Sequence, residues 1–300
     1  MFNGFSHSVM GASHEKKGTV CQDSSAYVAN DRYAVAVVAD GHGSKKHFRS
    51  NIGSRSAVEA TLETIENFYR NADEFEEKFP KNPKLVIKSI EKQVIARWNA
   101  KITEHLRQNP VTKDEKKDFT TDEFKKIPFE SYYGSTLITA VVCEKFSFGF
   151  QIGDGSLVAV FEDGETVMPI GDDESAPANI TASLCNSNAS SMFNSFFEQN
   201  KTVAALFTST DGLYTSFGSD NDFLDYHTII SSQLSEIDEF EGAIVKNLTK
   251  RSHFGTEDDT SLSCVYSQEI VDEKNDVLTA KVEENKRLAK ERKERMLNRA

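Results

Sequence analysis

Tyr33-Ala-Val-Ala-Val-Val-Ala-Asp40-Gly41-His42-Gly43 is an unbroken apolar run that ends on an acid, a glycine, a histidine and a second glycine. The run is too short for an ordinary helix, and Val35, Val37 and Val38 favour a buried, pleated strand. Such a strand delivers Asp40 to its own end, where the backbone leaves the core. Gly41 and Gly43 let the chain turn sharply there and let another group come close. A carboxylate fixed on a rigid element beside an imidazole has the outline of a metal or catalytic corner. Taken alone it is also ordinary turn chemistry, since Asp-Gly is a common way to leave a strand. The rest of the chain has to decide.

The 300 residues suit one large domain or two small ones, with ample length for a core. Lys and Arg number 35 against 47 Asp and Glu, a net charge of −12. That balance argues against duplex nucleic acid or an anionic membrane as the main partner, and it suits a protein that gathers divalent cations. No apolar run is long enough to span a bilayer, and residues 1–11 show no signal-peptide pattern. Cys21, Cys143, Cys185 and Cys264 lie far apart with no C-x-x-C pair. Cys143 and Cys264 fall inside apolar runs, so they read as buried thiols of a reducing, cytoplasmic protein, and no zinc site is expected.

Upstream of the central strand, residues 26–29 read as a short strand, and Asn30-Asp31 as a hairpin turn, because both residues tolerate positive φ. A hairpin brings its open ends together, so Asp23 and Asp40 are expected side by side, costly for two carboxylates without a cation between them. Downstream, Phe48, Ile52, Leu62, Ile65 and Tyr69 predict a helix within residues 44–71. Ile87, Ile90, Val94, Trp98, Ile102 and Leu106 predict another over 84–107, with Pro83 at its start. Residues 112–126 are charged and poorly periodic, and read as a loop. Strands are expected at 134–143, 146–152 and 156–161, with Gly153-Asp154-Gly155 between the last two. Asp163-Gly164 closes a further hairpin. Residues 171–199 read as an irregular flap. A buried strand at 202–207 runs into Thr208-Ser-Thr-Asp211-Gly212, helices follow near 223–234 and 237–250, and Glu257-Asp258-Asp259-Thr260 leads into a last strand at 261–267. The main domain is expected over 1–270. Residues 271–300 are expected to form a charge-dense helix, a solvated one in preference to a basic docking arm, with Glu283/Arg287 and Glu291/Arg295 at the supportive i,i+4 spacing.

Asp23, Asp40, Asp154, Asp211 and Asp258 all sit at strand ends in turn-like sequence. One such acid means little; five are hard to explain as turn formers alone. Hard divalent cations take oxygen ligands, whereas His and Cys clusters mark softer metals. Asp40-Gly41-His42-Gly43, Gly134-Ser135-Thr136, Gly153-Asp154-Gly155, Ser209-Thr210-Asp211-Gly212 and Asp258-Asp259-Thr260-Ser261 stand in the order typical of the metal-dependent protein phosphatases of type 2C. The chain resembles that family, in a bacterial-type branch, over about residues 8–267.

The resemblance implies an α+β fold, a four-layer α-β-β-α sandwich with two central antiparallel sheets flanked by helix pairs. It also implies two Mn²⁺ or Mg²⁺ ions at one edge that activate a water to hydrolyse phosphoserine and phosphothreonine in proteins. Carried onto this chain, Asp40 resembles the acid bridging both metals and Gly41 lends its carbonyl. Asp211 and Asp258 complete one shell, and Asp23 orders metal-bound water. Asp154 with Asp211 matches a weaker third-metal position, and His42 matches the general acid. The partners implied are phosphorylated proteins, a Ser/Thr kinase or its targets, with neither nucleic acid nor membrane.

Two departures stand out. Many members carry Glu-Asp where this chain has Gln22-Asp23, and many have an arginine for the phosphate where this chain has Gly18. His14, Lys16 and Lys17 are the nearest replacements, His14 first, because a rigid imidazole loses less entropy than a lysine when it binds. Two other readings share the fold: a phosphoprotein-binding pseudophosphatase, disfavoured because the central acids are all present, and a hydrolase of small phosphate esters.

Overall fold

The computed structural model describes residues 1–171 and 181–297. Ten strands are described: β1 Phe2–Val9, β2 Ser24–Ala29, β3 Tyr33–Ala39, β4 Leu137–Cys143, β5 Ser147–Ile152, β6 Ser156–Phe161, β7 Thr166–Val167, β8 Asn194–Glu198, β9 Val203–Ser209 and β10 Thr260–Ser267. They form two five-stranded antiparallel sheets, ordered β1-β10-β9-β6-β7 and β2-β3-β4-β5-β8.

The opening run shows why the sheets stack. Tyr33, Val35, Val37 and Ala39 face a core shared with the helices Ser50–Tyr69 and Pro83–Gln108. Ala34, Ala36 and Val38 face the other sheet, against Leu157, Leu206 and Val265. With both faces of a strand buried, the sequence loses polar alternation and reads as continuous apolar. On the far side, Phe223, Ile230, Ile244 and Leu248 of the helices Asp220–Ser231 and Ile237–Arg251 close the second sheet. Each such side chain contributes roughly 1.5–3 kcal/mol on burial. The result is the expected α-β-β-α sandwich. Trp98 is wholly buried, with its indole N–H donating to the Gly53 carbonyl at 3.0 Å. All four cysteines are free thiols, and no described helix is long and apolar enough to cross a membrane.

Several expectations are corrected. Phe2–Val9 is a full edge strand paired along its length with β10, and Ala12–Lys17 is a helix; neither was expected. The 30–33 turn uses no positive φ, since Glu257 is the only described non-glycine residue with one. Instead the Asn30 carboxamide oxygen accepts the Arg32 and Tyr33 N–H groups at 2.8 and 3.0 Å, an Asx turn. The 112–126 stretch is no plain loop. It holds two one-turn helices, Lys113–Lys116 and Thr121–Lys125, each opened by a capping box, Thr112 with Glu115 and Thr120 with Glu123. The flap reading of 171–199 fails at its end, where β8 pairs with β5; residues 172–180 lie outside the described residues. In the terminal helix Asn275–Leu297, Leu278 and Val282 are buried, and Glu283 pairs with Lys286 rather than Arg287.

Candidate metal centre and active site

The pairing register gathers the acids. Ser24 opposes Ala39, so Asp23 and Asp40 flank the open end of one hairpin. In the other sheet Ser209 opposes both Ser156 and Leu262, which brings Asp154, Asp211 and Asp258 to the same edge.

Asp40 is set by a short zipper to the Gly134-Ser135-Thr136 segment. Its N–H donates to Thr136 Oγ1 at 3.0 Å, and its carbonyl accepts the Thr136 N–H at 2.8 Å. The His42 N–H continues to the Gly134 carbonyl at 3.1 Å. Two glycines are obligatory here. A Cβ on Gly41 would fall 2.6 Å from the Gln22 carbonyl and 2.8 Å from the Ser50 backbone, and Gly153 takes φ +108° beside the Thr136 side chain.

Carboxylate oxygens of Asp40, Asp154 and Asp211 lie within 4.8 Å of one another. They open on a cavity of about 200 Å³ that is also lined by His14, Gln22, His42, Asp258 and Asp259. Burial, then the charges of Asp23, Asp211, Asp258 and Asp154, push the Asp40 carboxyl well above the usual carboxylate range. Asp211 is raised by burial and by Asp154 and Asp258. A desolvated cluster of like charges resists ionisation unless a cation joins it.

Asp23 does not line this cavity. It is buried behind Asp40, where its Oδ2 accepts from Thr210 and Ser261 at 2.8 and 2.9 Å, and burial with the nearby Asp259 raises its pKa. His42 lines the cavity; burial lowers its pKa, Asp154 opposes that, and Lys46 adds to it. His14 Nδ1 sits 2.8 Å from Asp259 Oδ2. Lys16 is drawn off to Glu257 at 2.8 Å, and Lys17 is exposed. Gly18 ends the Ala12–Lys17 helix at φ +64°, a conformation an arginine adopts only under strain.

Sequence reasoning missed Asp259, which knits three segments together. It accepts the Gly11 N–H at 2.7 Å and the Gln22 N–H at 2.6 Å besides facing His14. The signal was available: two adjacent acids at a strand entry point to opposite sides, so only one can face outward. Thr136, and Thr181, which donates to Asp154 Oδ2 at 2.8 Å, were missed too. Gln22 turns its amide to Ser50 Oγ at 2.8 Å.

The family model for protein phosphatase 2C matches residues 10–249. The chain belongs to the protein phosphatase 2C family. Among solved structures, the serine/threonine phosphatase PstP of Mycobacterium tuberculosis is 13% identical with a TM-score of 0.51, the match covering 88% of this chain and 98% of that one. Stp1 from Staphylococcus aureus is 14% identical with a TM-score of 0.51, over 89% of this chain and 95% of that one. PppA of Pseudomonas aeruginosa is 14% identical, also with a TM-score of 0.51, over 88% and 97%. At these identities the likeness is one of fold. A comparison with curated sequences returns no match. As a member of the protein phosphatase 2C family, the chain is a protein serine/threonine phosphatase of the metal-dependent class.

Proposed function

We propose that the chain hydrolyses phosphoserine and phosphothreonine in phosphorylated proteins, a Ser/Thr kinase or its targets, at a centre of two Mn²⁺ or Mg²⁺ ions with a weaker third. The observation that carries this reading is the meeting of Asp40, Asp154 and Asp211 oxygens within 4.8 Å at the cavity floor. The residues fit hard cations. The donor set is all oxygen, and burial among like charges, which raises the pKa values of Asp40 and Asp211, makes a cluster that a hard cation would relieve. Two such ions would supply a water of lowered pKa and positive charge to orient the phosphoryl group for in-line attack.

The chain's own residues divide the remaining work. Asp40 would serve both principal ions, the Gly41 carbonyl and the carboxylates of Asp211 and Asp258 would help to hold them, and Asp154 with Asp211 would hold the third. Asp23, held by Thr210 and Ser261, orders water from behind. His42 gives a proton to the departing seryl or threonyl oxygen, the usual task of a cavity-lining imidazole. His14, backed by Asp259, contacts a phosphoryl oxygen. The test is hydrolysis of a phosphothreonine peptide with Mn²⁺, with and without chelator, beside a small phosphate ester. Turnover that needs Mn²⁺ or Mg²⁺, is not supported by Zn²⁺ and favours the peptide is expected. Full turnover in excess EDTA would overturn the metal reading, and a preference for the small ester the substrate reading.

A further inference from the structure

Three consecutive residues of the turn after the Asp40 corner engage three consecutive residues of the segment before Gly134. The buried His47 donates from Nδ1 to the Ser131 carbonyl. Phe48 stacks on Tyr132 with ring centroids 4.7 Å apart. Arg49 reaches Tyr133 Oη at 2.9 Å, and its backbone N–H donates to the Tyr132 carbonyl at 2.8 Å. The Arg49 guanidinium also binds Glu115 through two bonds, at 2.6 and 3.0 Å. The turn that carries His47 is therefore fixed on both sides.

His47 in turn meets the His42 ring, with centroids 4.9 Å apart and planes inclined by 53°. Both rings rest over Gly134. A Cβ there would stand 2.4 Å from His47 Nδ1 and 2.9 Å from His42 Cδ2. Among the described residues no protein group hydrogen-bonds the His42 ring, and the contacts that orient it there are packing contacts with His47 and Gly134. A proton donor needs its ring held in one direction, because misplacement by about 1 Å costs on the order of 100-fold in rate.

We propose that His47 is a positioning residue for His42, holding its ring over Gly134 and toward the acidic cavity. This rests on the reading of His42 as proton donor. Its Nδ1–H is spent on Ser131, and burial outweighs that bond, which favours the charged form, lowering the His47 pKa to about 4 and leaving a neutral ring face. It therefore packs against His42 without adding charge beside it.

The test compares His47→Ala and His47→Phe with wild type. One readout is kcat and KM for a phosphothreonine peptide with saturating Mn²⁺. The other, in metal-free protein, is the NMR cross-peak between the His42 ring and Gly134 Hα. In His47→Ala, kcat is expected to fall about tenfold or more, KM and Mn²⁺ affinity to stay, and the cross-peak to vanish. In His47→Phe, which keeps a ring but loses the N–H, most of kcat and the cross-peak should remain. Wild-type kcat with an intact cross-peak in His47→Ala overturns the proposal, as does a His47→Phe that folds but behaves like His47→Ala. Full turnover by His42→Ala would instead overturn the donor reading, and the cross-peak then decides alone whether His47 positions the ring.

Discussion

Replacing Asp40 by Asn removes the charge at the centre of the cluster and keeps the shape. At the 4.8 Å limit separating its oxygens from those of Asp154 and Asp211, one like-charge pair costs about 3.5 kcal/mol at an effective dielectric of ~20. Two corrections reduce that figure. Asp154 is exposed, so solvent screens its share, and the raised pKa of Asp40 means a proton already relieves part of the repulsion. A gain of about 1–3 kcal/mol in metal-free stability is therefore expected. For 300 residues, with roughly 2.1 cal/mol/K of unfolding entropy per residue, that is a Tm rise of about 2–5 °C. Mn²⁺ should act unequally on the two proteins. At a hundredfold excess over Kd one bound ion adds about 2.7 kcal/mol, or about 4 °C, to wild type, and the variant should gain almost nothing. Thermal unfolding with EDTA and with Mn²⁺, beside calorimetric titration, reads both effects. An Asp40→Asn protein that melts below wild type in EDTA, or that shows the wild-type Mn²⁺ shift, would refute the reasoning.

Other substitutions separate the remaining roles. Asp154→Ala should leave the two principal ions bound and slow turnover most at low Mn²⁺; an unchanged metal dependence would return Asp154 to a plain turn residue. His14→Ala should raise KM for a phosphopeptide by the ~1.5–3 kcal/mol of a charge-assisted hydrogen bond and leave Mn²⁺ affinity alone, while Lys16→Ala, already paired with Glu257, does far less; wild-type kinetics in His14→Ala would move the phosphate grip elsewhere. His227 is wholly buried with its pKa lowered from 6.5 to about 4. The unfolded chain thus takes up the proton first, and His227 costs stability as pH falls from about 6.5 to about 4, by about 3 kcal/mol in all. Asp23 and Asp40, with raised values, work the other way in metal-free protein. The measurement is therefore the difference between wild type and His227→Phe in urea midpoints at pH 7 and pH 4.5, and a difference independent of pH would remove His227 from the account.

What the sequence made legible is what burial writes into it. The strand at 33–39 is packed on both faces, so its residues are uniformly apolar, and the acid that follows it marks where the core ends. The hidden elements are those that bury little. Phe2–Val9 is an edge strand with only Phe5 fully buried, and Asn194–Glu198 is an edge strand with none. Their polar residues read as loop. The two helices in the 112–126 stretch bury nothing, so no apolar period announces them, although Thr-x-x-Glu was there to read. In the site, Asp258 and Asp259 differ by a strand's alternation: one reaches the acidic cavity openly, while the other is buried against Gly11, Gln22 and His14. An Asp-Asp pair in sequence does not say which is which until the register with β9 is known.

Gly18 shows how one local constraint redirects the site. The helix at 12–17 must end in a left-handed residue so that the Gly18 N–H can reach the Glu15 carbonyl and the Thr19 N–H the His14 carbonyl. Glycine meets that demand and a long cationic side chain does not. The same helix carries His14 to the cavity wall, where Asp259 meets it, and turns Lys16 outward to Glu257. The cavity side chains are then carboxylates, two imidazoles, an amide already committed to Ser50 and the Thr181 hydroxyl committed to Asp154. A phosphate dianion entering that space is repelled by every charged wall until cations occupy the floor. On the proposed reading, metal binding and phosphate binding are therefore coupled by charge, a coupling that a fixed arginine for the phosphate would weaken.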